Sequence, residues 1–131
     1  MRSKSMRKAA HPLLAALMLA AAFVAPPVAA HHSYAMFDMT KTVVLDATIV
    51  RFRWQNPHSF IEANAAVKGK GEVWAIEMNS PNNLINEGWK RTTLKPGDKV
   101  KLYVHPLRDG SKGGSYAGVR LPDGSTLGTV K

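Results

Sequence analysis

The part of the chain that follows residue 30 is predicted to be an all-β domain with one short helix. Three observations predict this class. Apolar and polar residues alternate from Thr42 onward, turns containing Gly or Pro interrupt the alternation, and a single helix start occurs about midway along the domain. The turns and the helix start divide the domain into five strands and a short last segment.

The first strand contains a change in the parity of its apolar residues. They share one parity before this point and the other parity after it: Val43, Leu45, Ala47 and Ile49, then Val50, Phe52 and Trp54. One extra residue in a strand has this effect, because it exchanges the side chains that point inward and bends the strand. The sequence therefore predicts a β-bulge near Ile49 and Val50, and a long, bent first strand is typical of a small closed barrel.

The later strands are placed by alternation and by the turns between them. The expected positions are residues 58–67, 72–78, 99–104 and 116–121, with a short last segment at 126–130. Between the third and fourth strands, Ser80 suits the N-cap, Pro81 the first helical position and Gly88 the left-handed position that ends a helix. These residues predict a helix over residues 81–87.

The order of these elements points to one barrel topology. Three strands, a short helix and two more strands, with a bulged first strand, is the element order of the OB-fold, a five-stranded, partly open Greek-key barrel. The sequence therefore predicts a small OB-like barrel, and a small β-sandwich is the alternative.

The first 30 residues have the pattern of a secretory signal peptide. Four basic residues open the segment, an apolar stretch spans residues 13–24, and small residues end it at Ala30. The apolar stretch is shorter than the roughly 20 residues that a membrane-spanning helix needs, so we expect cleavage and no stable membrane anchor. The organisation expected is a signal peptide at 1–30, an N-terminal arm at 31–41 and the barrel at 42–131, in a periplasmic or secreted protein.

Composition excludes several classes of function. The whole chain carries a net charge of +9, but the leader holds four of the 18 basic residues and none of the nine acidic ones, which leaves 14 basic against nine acidic residues and a charge of +5. Because these basic residues form no run, we expect no nucleic-acid partner. The absence of cysteine excludes disulfides, thiolate metal sites and covalently attached haem.

Short motifs along the chain resemble one family. They are HHS at 31–33, FD at 37–38, FRW-x-NPH at 52–58, GW at 88–89, LKPGD at 94–98 and HPL-x-DG at 105–110. Together they resemble a family of small exported bacterial proteins classed as a domain of unknown function, over nearly all of the chain after the leader. The resemblance implies export and a single small domain, and it implies no reaction.

Four histidines of the mature chain form the best functional lead. Cleavage after Ala30 would give His31 a free amine, which forms a chelate ring with imidazole and suits Cu(II), with His32 beside it. His58 and His105 are expected in two loops that flank one ligand face of an OB-fold. We therefore expect copper, or another transition metal, on some combination of these four; a fraying arm and ordinary loop histidines are the alternatives.

Residues near these histidines have expected roles of their own. Asp38 and Asp109 are candidates to orient a ligating imidazole. Met36 and Met39 offer thioethers to Cu(I), although docking of Tyr34, Met36 and Phe37 onto the barrel is the simpler expectation.

A metal-free binding module is the alternative function. Its barrel face would take a polysaccharide, a peptide or a protein partner, with Trp54 and Tyr103 stacking against the ligand. An enzyme is not expected, because nothing in the sequence marks a nucleophile and base with an oxyanion hole, and a metal-dependent enzyme is the third and weakest hypothesis. The carboxylates Glu62 and Glu77 are expected on a solvated strand face.

Overall fold

The computed structural model describes residues 34–67 and 69–131. The expected signal peptide, His31 and His32 lie outside these residues. In the part of the chain described, no helix is long and apolar enough to span a bilayer.

The described chain folds into six strands and one α-helix, preceded by a single 3₁₀ turn at Tyr34–Met36. In chain order they are β1 (Val43–Arg53), β2 (Phe60–Val67), β3 (Lys70–Glu77), α1 (Pro81–Asn86), β4 (Lys99–Pro106), β5 (Gly113–Arg120) and β6 (Thr126–Gly128).

The strands close into a barrel. The sheet order is β3-β2-β1-β4-β5-β6, and an additional parallel pairing joins β3 to β5. Strands β1 to β5 therefore form a closed five-stranded barrel, to which β6 is added along β5. This is the strand order of the OB-fold, and the predicted fold class is confirmed.

The predicted bulge lies in β1. The pairing of β1 with β2 shifts between Ile49 and Arg51, so Val50 is the extra residue, and its side chain is exposed. Ile49 is buried before the shift and Phe52 packs against the core after it. The change of parity was a correct indicator because a strand of a closed barrel has one inner face along its whole length.

The predicted helix forms with its expected caps. Ser80 Oγ accepts a hydrogen bond from the Asn83 N–H at 3.5 Å, and Pro81 occupies the first turn. The helix ends one residue earlier than predicted, at Asn86, because Glu87 is the C-cap and Gly88 follows with a φ of +91°. Leu84, on the inner side of α1, is fully buried in the core.

Several strand ends differ from the prediction. β2 begins at Phe60 rather than at residue 58, β4 continues to Pro106, and β5 begins at Gly113 rather than at residue 116. The early start of β5 has a physical reason: two glycines open the strand, and glycine gives no apolar alternation to read. These residues belong to the strand because β3 and β4 pair with them.

Two consecutive glycines make the barrel closure possible. A methyl group at Gly113 would come within 2.8 Å of the Ala75 carbonyl oxygen on β3, and one at Gly114 would meet the His105 carbonyl oxygen and Val104 on β4. Backbones can approach this closely only where no side chain lies between them. Gly113 and Gly114 therefore allow β5 to pack between β3 and β4.

The interior is filled by aliphatic side chains and, at one side, by four aromatic rings that contact one another in series. Phe52 packs edge-on to Trp54 with ring centroids 5.7 Å apart, Trp89 contacts Phe52 at 5.6 Å, and Tyr116 packs edge-on to Trp89 at 5.3 Å. These aromatics join the buried aliphatic residues Leu45, Ile49, Ile61, Ile76, Leu84, Leu94, Leu102, Val104 and Val119.

We expect Gly114→Ala to lower the free energy of unfolding by about 1–3 kcal/mol, the usual cost of overpacking. Gly71→Ala is the matched control, because its added methyl would meet only the end of the exposed Asn64 side chain, at 3.1 Å. Urea unfolding of both variants measures the difference. Equal stability of the two variants would show that close packing at Gly114 does not limit the barrel.

Candidate functional site

One row of outward-facing residues crosses all five strands of the barrel at one end. The register pairs Arg53 with Phe60, Phe60 with Glu77, Glu77 with Ser115, and Ser115 with His105. We call these five residues the outer row. Their strand neighbours Ile76 and Val104 are fully buried, so the alternation of a strand places Glu77 and His105 on the outer face.

The imidazole of His105 has one nitrogen fixed by the backbone. His105 lies within β4, not in the following loop as expected, and its Nδ1 is 2.7 Å from the carbonyl oxygen of Lys41. A carbonyl can only accept, so Nδ1 carries the proton and Nε2 is the nitrogen with the lone pair. No other hydrogen bond to this ring occurs among the described residues.

His58 has a similar arrangement in the segment between β1 and β2. Its Nδ1 is 2.9 Å from the carbonyl oxygen of Met78, and 3.5 Å from Oε1 of Glu77. The neighbouring Ser59 is fully buried; its N–H donates to the Asn79 carbonyl, and its own carbonyl accepts from the Met78 N–H. These bonds attach the segment to the end of β3, beside the outer row.

The two histidines therefore lie at the same end of the barrel. From His105 to Glu77 is a step of two strand spacings, or about 10 Å between backbones, and Glu77 contacts His58. Between residues 34 and 131, leaving out Lys68, no three His, Asp or Glu side chains are grouped to hold one metal ion. The described part of the barrel thus places two imidazoles at the same end, and no three of its His, Asp or Glu side chains form a metal site there.

The N-terminal arm is docked along the segment that joins β4 to β5. Phe37 forms a β-bridge with Leu107 and is only 5% exposed. The Asp38 N–H donates to the Pro106 carbonyl at 2.8 Å, and the Arg108 N–H donates to the Met36 carbonyl at 3.0 Å. Of the three side chains expected to dock, only that of Phe37 is buried, because Tyr34 and Met36 remain largely exposed.

The two aspartates expected to orient histidines instead shape their own turns. Asp38 accepts from the N–H and hydroxyl of Thr40, and Asp109 accepts from the same groups of Ser111. Hydrogen bonds from Thr40, and then from Lys41, lower the pKa of Asp38 from 3.8 to about 2. The Ser111 hydroxyl and N–H likewise lower the pKa of Asp109.

The aromatic residues expected to stack on a ligand have other roles. Trp54 packs edge-on to Phe52 at the core, and Tyr103 is only 8% exposed. In the outer row, the Phe60 ring is covered by the Arg53 guanidinium, whose carbon lies 5.1 Å from the ring centroid. Tyr103 is therefore too buried to stack on a sugar ring or a base, whereas Trp54 is only partly buried.

No local pattern indicated that Glu77 would contact His58 or that Ser115 would pair with His105. Glu77 has the expected position on a strand face, and Ser115 lies in the glycine-rich start of β5. What brings them together is the parallel pairing of β3 with β5, which joins residues 38 positions apart. Non-local pairing of this kind leaves no local signal in the chain.

Together, the strand order and this arrangement define an OB-fold barrel with two imidazoles at one end of its outer surface. A family model described as a family of unknown function, DUF6152, matches residues 18–116 of the chain. The chain belongs to this family. No curated protein matches the chain significantly, and neither does any solved structure.

The lowered pKa of Asp38 links the turn at residues 38–41 to pH. A carboxyl with a lowered pKa stabilises this turn above the ordinary value of 3.8, and the contribution is lost as the pH falls through about 2. We expect Thr40→Ala to raise the pKa of Asp38 towards 3.8, because it removes the strongest of these hydrogen bonds. Titration of the carboxyl carbon by NMR measures both values, and Asp123, whose partner is Ser125, is the control.

The backbone contacts also fix the expected tautomer of each barrel histidine. We expect the neutral rings of His58 and His105 to carry their proton on Nδ1, because that nitrogen faces a carbonyl oxygen in both. Long-range ¹⁵N–¹H correlation spectra distinguish the two ring nitrogens, and the preference should disappear when the protein is unfolded in urea. A ring protonated on Nε2 would contradict the geometry described.

Proposed function

We propose that this protein is an exported, non-catalytic metal-binding domain that takes a transition metal, with Cu(II) bound most tightly. His58 and His105 supply imidazole ligands from the barrel. His31, through its imidazole and the amine that leader cleavage creates, and His32 supply the others. The observation that carries the proposal is the hydrogen bond from His105 Nδ1 to the Lys41 carbonyl.

This hydrogen bond prepares His105 for a metal. An imidazole that ligates through one nitrogen usually donates the other N–H to a carbonyl or carboxylate, which fixes the tautomer and orients the ring. The Nδ1 contacts of His105 and His58 both fit this pattern. Because Lys41 belongs to the end of the docked arm, the orientation of His105 depends on that docking.

The choice of metal follows from the available donors. The chain has no cysteine, so no thiolate can bind the metal. The proposed donors are the imidazole nitrogens and, after cleavage, the amine of His31. Such a set suits Cu(II), which also leads the divalent ions in affinity for nitrogen sites. The barrel alone groups fewer than three such ligands within the described residues, and the proposal takes the further donors from His31 and His32.

The proposed export depends on the expected signal peptide at residues 1–30. A cleaved protein in the periplasm or outside the cell would carry its new amine at His31, whereas an uncleaved chain would not. The same cleavage lowers the net charge to +5, which supports a protein that does not bind nucleic acid.

Titration of Cu(II) into the processed protein tests the proposal. We expect at least a tenfold loss of affinity in the double variant His58→Gln/His105→Gln, and a comparable loss when one extra residue precedes His31. Thr126→Gln on β6 is the control. This exposed residue pairs with Arg120 on β5, away from the outer row. Electron paramagnetic resonance reports the nitrogen ligands directly.

The outcomes separate the parts of the site. Unchanged affinity in the extended protein would remove the amine from the ligand set, and unchanged affinity in the double variant would remove the barrel histidines. If the processed protein binds no copper, zinc or nickel, the metal proposal is wrong and the metal-free binding module takes its place.

A further inference from the structure

A second surface feature lies apart from the outer row. An open groove of about 420 Å³ runs between β1, β4 and the turn from β5 to β6. Its lining consists of Asp46, Ala47, Thr48, Lys99, Val100, Lys101, Arg120, Leu121 and Pro122. We call it the basic groove. It does not include β2 or β3, which form the usual ligand face of an OB-fold.

The charges of the basic groove come from neighbouring strands. Asp46 on β1 pairs in register with Lys101 on β4, which in turn pairs with Arg120 on β5. Lys99 is two residues before Lys101 and pairs with Thr48. The groove thus presents three cationic side chains and one carboxylate, an excess of two positive charges.

Two of the three cations of the basic groove have no carboxylate partner among the described residues. Some cations elsewhere on the barrel do have one, since Arg53 pairs with Glu62 and Lys112 with Glu72. In the groove, Lys101 has Asp46 at 2.8 Å, whereas neither Lys99 nor Arg120 has a carboxylate partner within the described chain. Like charges directly opposite each other in a sheet, such as Lys101 and Arg120, destabilise it. An anion bound between them would reverse that effect.

We propose that the basic groove binds a small, soluble phosphate ester, such as a sugar phosphate. The excess of two positive charges matches a phosphate monoester dianion. Cross-strand side chains begin about 5 Å apart and next-but-one residues on a strand about 7 Å apart, so Lys99, Lys101 and Arg120 can reach one phosphate. The guanidinium of Arg120 suits bidentate contact with two phosphate oxygens.

The volume and the lining of the groove favour a small ligand over a membrane. Its volume lies in the range of small-molecule sites, and Leu121 and Pro122 offer an apolar wall to the rest of the ligand. A lipid surface would be met by exposed large apolar residues beside the cations, yet no residue of that kind lines the groove. This inference does not depend on the proposed metal function.

The proposal is tested by measuring the binding of glucose 6-phosphate. The protein is used as the expressing cell processes it, and glucose and inorganic phosphate are the comparison ligands. We expect glucose 6-phosphate to bind and glucose not to bind. The double variant Lys99→Gln/Arg120→Gln should weaken binding at least tenfold. The matched control Lys90→Gln/Arg91→Gln removes the same charge at exposed positions outside the groove and should change affinity less than twofold.

A change of opposite sign guards against misfolded variants. Asp46→Asn releases Lys101 from its ion pair, so we expect severalfold tighter binding, whereas Glu87→Gln, outside the groove, should have no effect. Equal weakening in both double variants, or equal tightening in both acid variants, would overturn the proposal in favour of a general charge effect. Stronger binding to phosphatidylglycerol vesicles than to glucose 6-phosphate would overturn it in favour of a membrane surface.

Discussion

The close approach of β5 to β3 and β4 at Gly113 and Gly114 is the constraint on which the rest of the structure depends. Without it β3 would have an open edge and the sheet would not close. The same approach aligns Ser115 with both Glu77 and His105, so the outer row exists only because the barrel is closed. Fold and candidate site therefore depend on one pair of residues that have no side chains.

The docked arm connects the barrel to the proposed metal site. Phe37 anchors the arm by burial, and Asp38 shapes the turn that presents the Lys41 carbonyl to His105. A change in the arm would therefore alter the orientation of the His105 imidazole without altering the barrel itself. The basic groove, by contrast, is lined entirely by residues of three strands and one turn, and no residue of the arm lines it.

Local signals made part of this structure predictable. The parity change around Val50 located the bulge, and Ser80 with Pro81 located the helix start, because both depend on neighbouring residues only. The start of β5 was not predictable from alternation, since glycines carry none. The outer row could not be predicted from the sequence either, because the parallel pairing of β3 with β5 is determined by the closure of the whole barrel. Residue type alone made His58 and His105 candidates, whereas the contact between Glu77 and His58 could not be predicted from it.

The bulge at Val50 limits how this chain can vary in length. It lies where β1 passes from pairing with both β4 and β2 to pairing with β2 alone. Loss of Val50 would leave Ile49 and Phe52 facing inward and Arg51 and Arg53 facing outward, because these residues would then alternate simply, but it would remove the bend that an extra residue gives a strand. Surface turns tolerate insertions and deletions, whereas a deletion at this position would straighten β1 at the point where it leaves β4.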